Sequence, residues 1–263
     1  MTSLPGYQIR KELGRGGGGI VYLGVRNKDN LTVAIKKLDK QEQRRPPQDE
    51  TPTEITFLER VQNIPGIIKM IDHFNYFGVN YLIMEKFGSS DLFNWICLKG
   101  GSDEHTAKII FSQVVKIVDK CFNQGIVHGD IKDENILINP NTLEIRIIDF
   151  GEGMFVENKT YQKFHGTLTH SPPEWFQNKE FTQEPWTIWS LGILLFTLIC
   201  GDYPFEEGEV TQVNPFLNPL WKELEGKSRD LQQLVNQCLA FNPCERITLS
   251  QVLQSPWLQN MHQ

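Results

Sequence analysis

The sequence predicts an α+β chain in two lobes, a small β-rich N-lobe with one main helix and a larger α-helical C-lobe. Three observations carry that expectation. Residues 7 to 38 and 67 to 87 alternate strand-like runs with turns. From Asp91 onward the texture becomes helical. Between apolar runs near the middle of the chain lies a short charged loop, HGDIKDEN (His128 to Asn135). At 263 residues the length suits one large domain or two lobes sharing a cleft. The boundaries read as about 1–85 for the N-lobe, 86–90 for a hinge and 91–263 for the C-lobe.

The first strands enclose LGRGGGGIVYLG, in which Gly14, Gly16 and Gly19 fit G-x-G-x-x-G with Val21 two residues on. Glycines let a backbone approach phosphates closely and turn its amides toward them. A dinucleotide-binding turn would lead straight into a helix. Here Ile20, Val21 and Tyr22 continue as a strand, which favours a hairpin flap with further freedom from Gly17 and Gly18. LTVAIKKL follows, placing Lys36 on the next strand as an ammonium for α- and β-phosphates. Residues 39 to 51 read as a polar, proline-bearing loop. Pro52, Thr53 and Glu54 open a helix to about Val61, with Ile55, Leu58 and Val61 as its apolar stripe. Glu54 is the candidate partner of Lys36, in preference to Glu59, because it lies in the first turn beside that stripe. IIKMIDHF and NYLIMEKF then form a hairpin that ends the first lobe.

After DLFNWICLKG comes an amphipathic helix from Glu104 to Asn123, which delivers the chain to HGDIKDEN. Moving phosphate from ATP to a hydroxyl needs a carboxylate to orient the hydroxyl and receive its proton, and oxygen ligands to hold Mg²⁺. Asp130 and Asn135 supply one of each, and Lys132 is placed to steady the transferring group. His128, beside an apolar segment, reads as scaffold. A strand pair turning at Asn139 to Asn141 leads to Asp149-Phe150-Gly151, with Asp149 the second Mg²⁺ ligand beside Asn135. Residues 152 to 173 read as a long polar loop ending in SPPE. The apolar run Trp189 to Cys200 is too short to cross a bilayer and reads as a central buried helix. Further helices run to Trp257.

Composition is ordinary for a globular protein, 40% hydrophobic and 22% charged. A net charge of −6 argues against nucleic acid as the main partner and suits a basic peptide. Five scattered cysteines with no CxxC pair fit neither a zinc site nor a disulfide framework and point to a reducing compartment, cytoplasm or nucleus. Met1 to Arg10 has no apolar core of a signal peptide, and no membrane association is expected.

Assembled in order, the glycine loop, VAIK, helical Glu54, HGDIKDEN, DFG and PPE make the chain resemble a eukaryotic protein kinase domain nearly end to end. Within that superfamily it is similar to the Pim serine/threonine kinases. HGDIKDENILI, IDFGEG, the GT-x-x-x-SPPEW run at Gly166 to Trp175, WSLGILL and GDYPFE carry the similarity. The resemblance implies a bilobal protein kinase-like fold, use of ATP and Mg²⁺, and phosphorylation of serine or threonine in basic protein sequences by a monomer. It also implies a nucleotide pocket formed by Leu13, Gly14, Gly16, Gly19, Val21, Ala34, Lys36, Glu54, Met84, Leu137 and Asp149. Hinge backbone at Glu85 and Phe87 would lie on the adenine edge. Lys132 two residues after Asp130 is the serine/threonine pattern. Glu174 is expected to pair with Arg246.

Three departures stand out. Gly129 replaces the arginine that in many kinases grips a phosphorylated activation loop, so activity is expected without that phosphorylation. Thr187 stands where most kinases carry an aspartate that anchors the catalytic loop. The hinge EKFGSSDLF is shorter than the Pim pattern and lacks its proline. Asp91, Asp133, Glu134, Asp202, Glu206 and Glu207 are expected to form an acidic peptide groove. Gly129 and Thr187 keep an alternative open, a pseudokinase scaffold that works through contacts alone.

Overall fold

Alternation of inward and outward residues makes the first lobe a sheet. In the structure, a computed structural model describing residues 3–39, 51–88, 90–205, 222 and 224–260, that sheet has six antiparallel strands. They are β1 (Ser3–Leu4), β2 (Tyr7–Gly16), β3 (Gly19–Arg26), β4 (Thr32–Leu38), β5 (Met70–Tyr76) and β6 (Val79–Glu85), in the order β1-β2-β3-β4-β6-β5. The period of two divides β4: Val33 and Ile35 bury outward with Leu4, Tyr7 and Ile83, while Ala34 and Lys36 face the cleft. Register sets Val21 opposite Lys36 and Ala34 opposite Met84. The glycine loop is the β2–β3 hairpin itself, with Gly16 paired to Gly19 and Gly17-Gly18 as its two-residue tip.

Helix α1 (Thr53–Val61) starts where Pro52 and Glu54 predict it and buries Ile55, Phe57, Leu58 and Val61 against the second lobe. Most of the expected loop before it, residues 40–50, lies outside the described residues. The hinge is irregular over 86–88, and Ser90, expected within it, already belongs to β7 (Ser90–Asp91). Helix α2 (Leu92–Lys99) is capped by Asp91, which accepts from Asn94 N at 2.7 Å. Helix α3 (Glu104–Asn123) has the predicted limits and a similar cap from Asp103.

Two short sheets frame the functional loops. One pairs β8 (Ile126–Val127) with β11 (Met154–Phe155); the other orders β10 (Ile145–Ile147), β9 (Ile136–Ile138) and β7. The rest is helical: α4 (Pro173–Asn178), α5 (Gln183–Cys200), α6 (Arg229–Cys238), α7 (Leu249–Leu253) and α8 (Pro256–Gln259). Helix α5 is buried along nearly its whole length, as an apolar run with no polar face requires, and begins six residues before Trp189. Arg246 donates to both carboxylate oxygens of Glu174, at 2.7 Å from Nη1, with its guanidinium over Trp189. Residues 152 to 173 form the long, largely exposed loop expected, anchored by a few aromatic contacts: Phe155 lies edge-on to Phe57, and Tyr161 and Phe164 pack on Phe181 and Trp186.

Candidate active site

The cleft between the lobes has a volume of about 1040 Å³, and every residue predicted for catalysis, metal or nucleotide lines it. Lys36 reaches it from the inner face of β4 and is buried. Its Nζ donates to Glu54 Oε1 at 2.7 Å and lies 3.1 Å from Asp149 Oδ2. Burial opposes the Lys36 ammonium, but the two carboxylates outweigh it and hold its pKa above the ordinary lysine value. Burial pushes Glu54 up to about 7, the Lys36 charge working against the shift and the Asp149 charge adding to it. Burial also acts to raise Asp149, yet Lys36 and the Gly151 N–H hold it below the ordinary carboxylate range. Asp149 has φ 65°, a left-handed backbone that a side-chain-bearing residue keeps only when its surroundings impose it.

The HGDIKDEN loop places Asp130, Lys132 and Asn135 on the same cleft. Asp130 Oδ2 accepts from Asn135 Nδ2 at 2.9 Å and lies 3.2 Å from Lys132 Nζ. Its Oδ1 accepts from the backbone N–H and the hydroxyl of Thr167, at 3.0 and 2.8 Å. Burial favours the neutral acid, but Lys132 and the Thr167 hydrogen bonds prevail and hold Asp130 below its ordinary pKa, anionic at neutral pH. Lys132 Nζ also donates to Thr167 Oγ1 at 2.7 Å. Sequence reasoning did not single out Thr167. Its only signal was a place in the GT-x-x-x-SPPE run, which says nothing of a hydroxyl turned back on a carboxylate 37 residues earlier.

His128 is scaffold, as read. Its Nε2–H donates to Ile148 O at 2.9 Å, Nδ1 accepts from Asp130 N at 3.2 Å, and its ring packs 4.6 Å from Phe150. Burial lowers its pKa and keeps it neutral. The glycine hairpin comes down on the ion-paired end of the cleft. A Cβ on Gly18 would stand 2.9 Å from Lys36 Nζ, so a side chain there displaces either the lysine or the flap.

Met84, Glu85 and Phe87 form the far wall of the cleft. The Glu85 carboxylate points away from it, accepting from Lys69 N at 3.0 Å and Arg146 Nε at 3.2 Å. The Arg146 guanidinium lies 4.3 Å over the Phe87 ring, tying the hinge to β10. Lys86 Nζ donates to the Gly88 carbonyl at 2.6 Å. Lys86 falls within the predicted hinge, whereas Arg146 was not legible as its partner, since it reaches Glu85 from 61 residues away.

The departures have physical forms. Gly129 has φ 83°, and a Cβ there would run into the carbonyl oxygen of Glu152. No arginine fits this backbone. Thr187 is buried and its hydroxyl donates to Gln183 O one turn back at 2.8 Å, serving its own helix. The loop is instead held through His128 and through Tyr203, whose hydroxyl donates to Asp133 Oδ1 at 3.0 Å. This corrects the expected acidic groove: Asp133 is 1% exposed and burial raises its pKa. Glu134 and Asp202 are exposed, Asp91 caps α2, and Glu206 and Glu207 lie outside the described residues.

Comparison with known proteins agrees with this geometry. The family described as "Protein kinase domain" matches residues 7–258. The chain is similar to serine/threonine-protein kinase pim-2 of Danio rerio, 39% identical over 96% of this chain and 84% of that protein. Serine/threonine-protein kinase prk-2 of Caenorhabditis elegans is 32% identical over 96% of this chain and 58% of its own length. Serine/threonine-protein kinase SIK1 of Rattus norvegicus is 29% identical, the chain spanning 33% of it.

Proposed function

The chain belongs to the protein kinase family, and we propose that it is an active serine/threonine kinase rather than a scaffold. The observation that carries this is Lys36, buried and paired with Glu54 on the cleft that also holds Asp130, Asn135 and Asp149. A buried ion pair costs desolvation, and its presence beside an intact Asp130, Asn135 and Asp149 favours the catalytic reading.

ATP and Mg²⁺ fit the donor set. Asp149 and Asn135 offer hard oxygen ligands, and Asp149 already faces a cation, the Lys36 ammonium. These two residues would hold Mg²⁺, which when bound offsets the charge of the β- and γ-phosphates. Lys36 positions the α- and β-phosphates and Glu54 fixes the ammonium. The glycine hairpin covers the phosphates. Leu13, Val21, Ala34, Met84 and Leu137 wall the adenine side, with Glu85 and Phe87 on its edge. Asp130, held anionic, orients the substrate hydroxyl and receives its proton. Lys132 steadies the transferring group, and catalysis is mainly positioning and electrostatics.

Exposed Asp202, and exposed Glu134 beside Lys132, support protein substrates with basic residues near the target; the enzyme is proposed to act as a monomer. Gly129 supports activity without activation-loop phosphorylation.

The test is transfer of labelled phosphate from ATP-Mg²⁺ to an arginine-rich serine peptide, with Asp130→Asn and Lys36→Met alongside. Activity in the unsubstituted protein and its loss in both variants is expected. Silence in all three, with ATP still raising the melting temperature, establishes the scaffold.

A further inference from the structure

A kinase switched by phosphate needs a cation to receive the phosphate, and in this chain the catalytic-loop position for it is closed. Gly129 lies against Glu152 O in a backbone conformation that excludes an arginine. The segment that follows DFG is nevertheless held in place, and one side chain touches it three times.

Gln183, the first residue of α5, is 4% exposed. Its Oε1 accepts from Glu157 N at 2.8 Å, and its Nε2 donates to Phe155 O at 2.8 Å and to the Tyr161 hydroxyl oxygen at 2.9 Å. Both amide N–H groups and the carbonyl are thereby used. Tyr161 passes the restraint on. Its hydroxyl donates to Glu157 Oε2 at 2.8 Å, its backbone pairs with Phe181, and its ring stacks on Phe181 at 5.6 Å. At the other end Phe155 meets Phe57 edge-on at 5.0 Å and lies under the Arg60 guanidinium. Phe57 and Arg60 sit on α1, the helix that presents Glu54 to Lys36. A continuous set of contacts therefore runs from Gln183 through Phe155 to the ion pair in the cleft.

We propose that Gln183 is a positioning residue that holds the activation segment in its working arrangement through neutral hydrogen bonds, where a phosphate–arginine contact would hold it in a switched kinase. This rests on the reading of the chain as an active kinase. A buried amide of this kind leaves Glu157 N–H and Phe155 C=O without partners when removed, and the segment then rearranges to reach water. The segment itself carries the effect to the bound peptide, not to the nucleotide.

The experiment uses the full chain after phosphatase treatment. Gln183→Leu keeps the bulk and removes the amide, Tyr161→Phe removes one of the three contacts, and Gln162→Ala, which removes only an exposed hydrogen bond to Glu180, is a control on the same segment. Peptide phosphorylation, ATP affinity and hydrogen exchange over 154–166 are measured for each. The expected result is retained activity in the unsubstituted protein and a fall of about tenfold or more in kcat/KM for peptide in Gln183→Leu. A smaller fall is expected in Tyr161→Phe and none in Gln162→Ala. ATP affinity stays within about twofold while exchange quickens over 154–166 alone. Unchanged kcat/KM in Gln183→Leu overturns the proposal, as does a loss matched by faster exchange across the whole C-lobe. Loss of activity on phosphatase treatment overturns it too. If Gln183→Leu does not fold, the Tyr161→Phe comparison decides. An unsubstituted protein inactive on peptide refutes the kinase reading, and the exchange data still show whether Gln183 holds the segment.

Discussion

Position 129 permits a quantitative test with an internal control. Gly129→Ala adds one methyl to the catalytic loop. At φ 83° that methyl forces a left-handed conformation, which costs an alanine about 1–2 kcal/mol relative to glycine. It also meets the Glu152 carbonyl oxygen, and relieving such an overlap in a packed region costs about 1–3 kcal/mol. The sum, about 2–5 kcal/mol, is a large share of the roughly 5–15 kcal/mol that stabilises a domain. Gly125 separates the two contributions. It has φ 75°, but a Cβ there meets nothing within 4 Å, so Gly125→Ala carries the conformational cost alone. For a chain of this length each kcal/mol moves the melting temperature by roughly 2–4 °C. Thermal unfolding should place Gly129→Ala several degrees below Gly125→Ala, and peptide phosphorylation at 25 °C should fall in the first variant and hold in the second. Equal melting temperatures would refute the collision. Gly129→Arg should behave like Gly129→Ala and gain no response to phosphorylation.

Two other outcomes follow from buried and exposed charge. Burial pushes His170 down to about 4, Asp130 opposing the shift and Lys132 adding to it. Between pH 6.5 and 4 the unfolded chain binds a proton that folded His170 refuses, so stability falls as pH drops through that window, by about 3 kcal/mol at its foot. His170→Gln should show a shallower decline in chemical denaturation over the same range, and parallel curves would exclude His170 as the source. For substrate preference, Glu134→Gln should raise KM for an arginine-bearing peptide roughly two- to fivefold, with a smaller fall in kcat because Glu134 Oε2 also lies 3.0 Å from Lys132 Nζ. Asp133→Asn, beneath Tyr203, should instead lower kcat and the melting temperature; the reverse pattern would return Asp133 to the peptide groove.

What could be read beforehand divides by range. The limits of α1 and α3, the hairpin at Gly17-Gly18 and the inward face of β4 follow from local spacing and caps, and the structure has them where the sequence placed them. The candidate catalytic and metal residues could be chosen because each sits in a short motif whose neighbours announce it, whereas Met84, Glu85 and Phe87 came only with the resemblance. Thr167 and Gln183 have no such company. Each acts through a hydrogen bond to a partner 37 or 26 residues away, and nothing in residue type foretells which hydroxyl or amide will meet which partner. Asp133 was misplaced for the same reason. An aspartate in a charged loop reads as solvated until Tyr203, 70 residues on, is seen to cover it. Residues 152 to 173 looked polar by count, whereas Tyr161 and Phe164, few but large, decide where the segment lies.

The packing also bears on how the molecule comes apart. Leu38, Ile55, Leu58 and Leu82 of the N-lobe share one buried cluster with Phe150, α3 and α5, while among the described residues Leu4, Tyr7, Val33, Ile35 and Ile83 form a smaller buried core of the sheet, with partly buried Ile9, Tyr22 and Phe74 packed on it. The cleft therefore divides the protein for its chemistry without dividing it for folding. A fragment ending at the hinge would carry an apolar underside with nothing to cover it, and too small a core of its own to compensate. Loss of either lobe accordingly strips the shared cluster of part of its packing and weakens the other lobe.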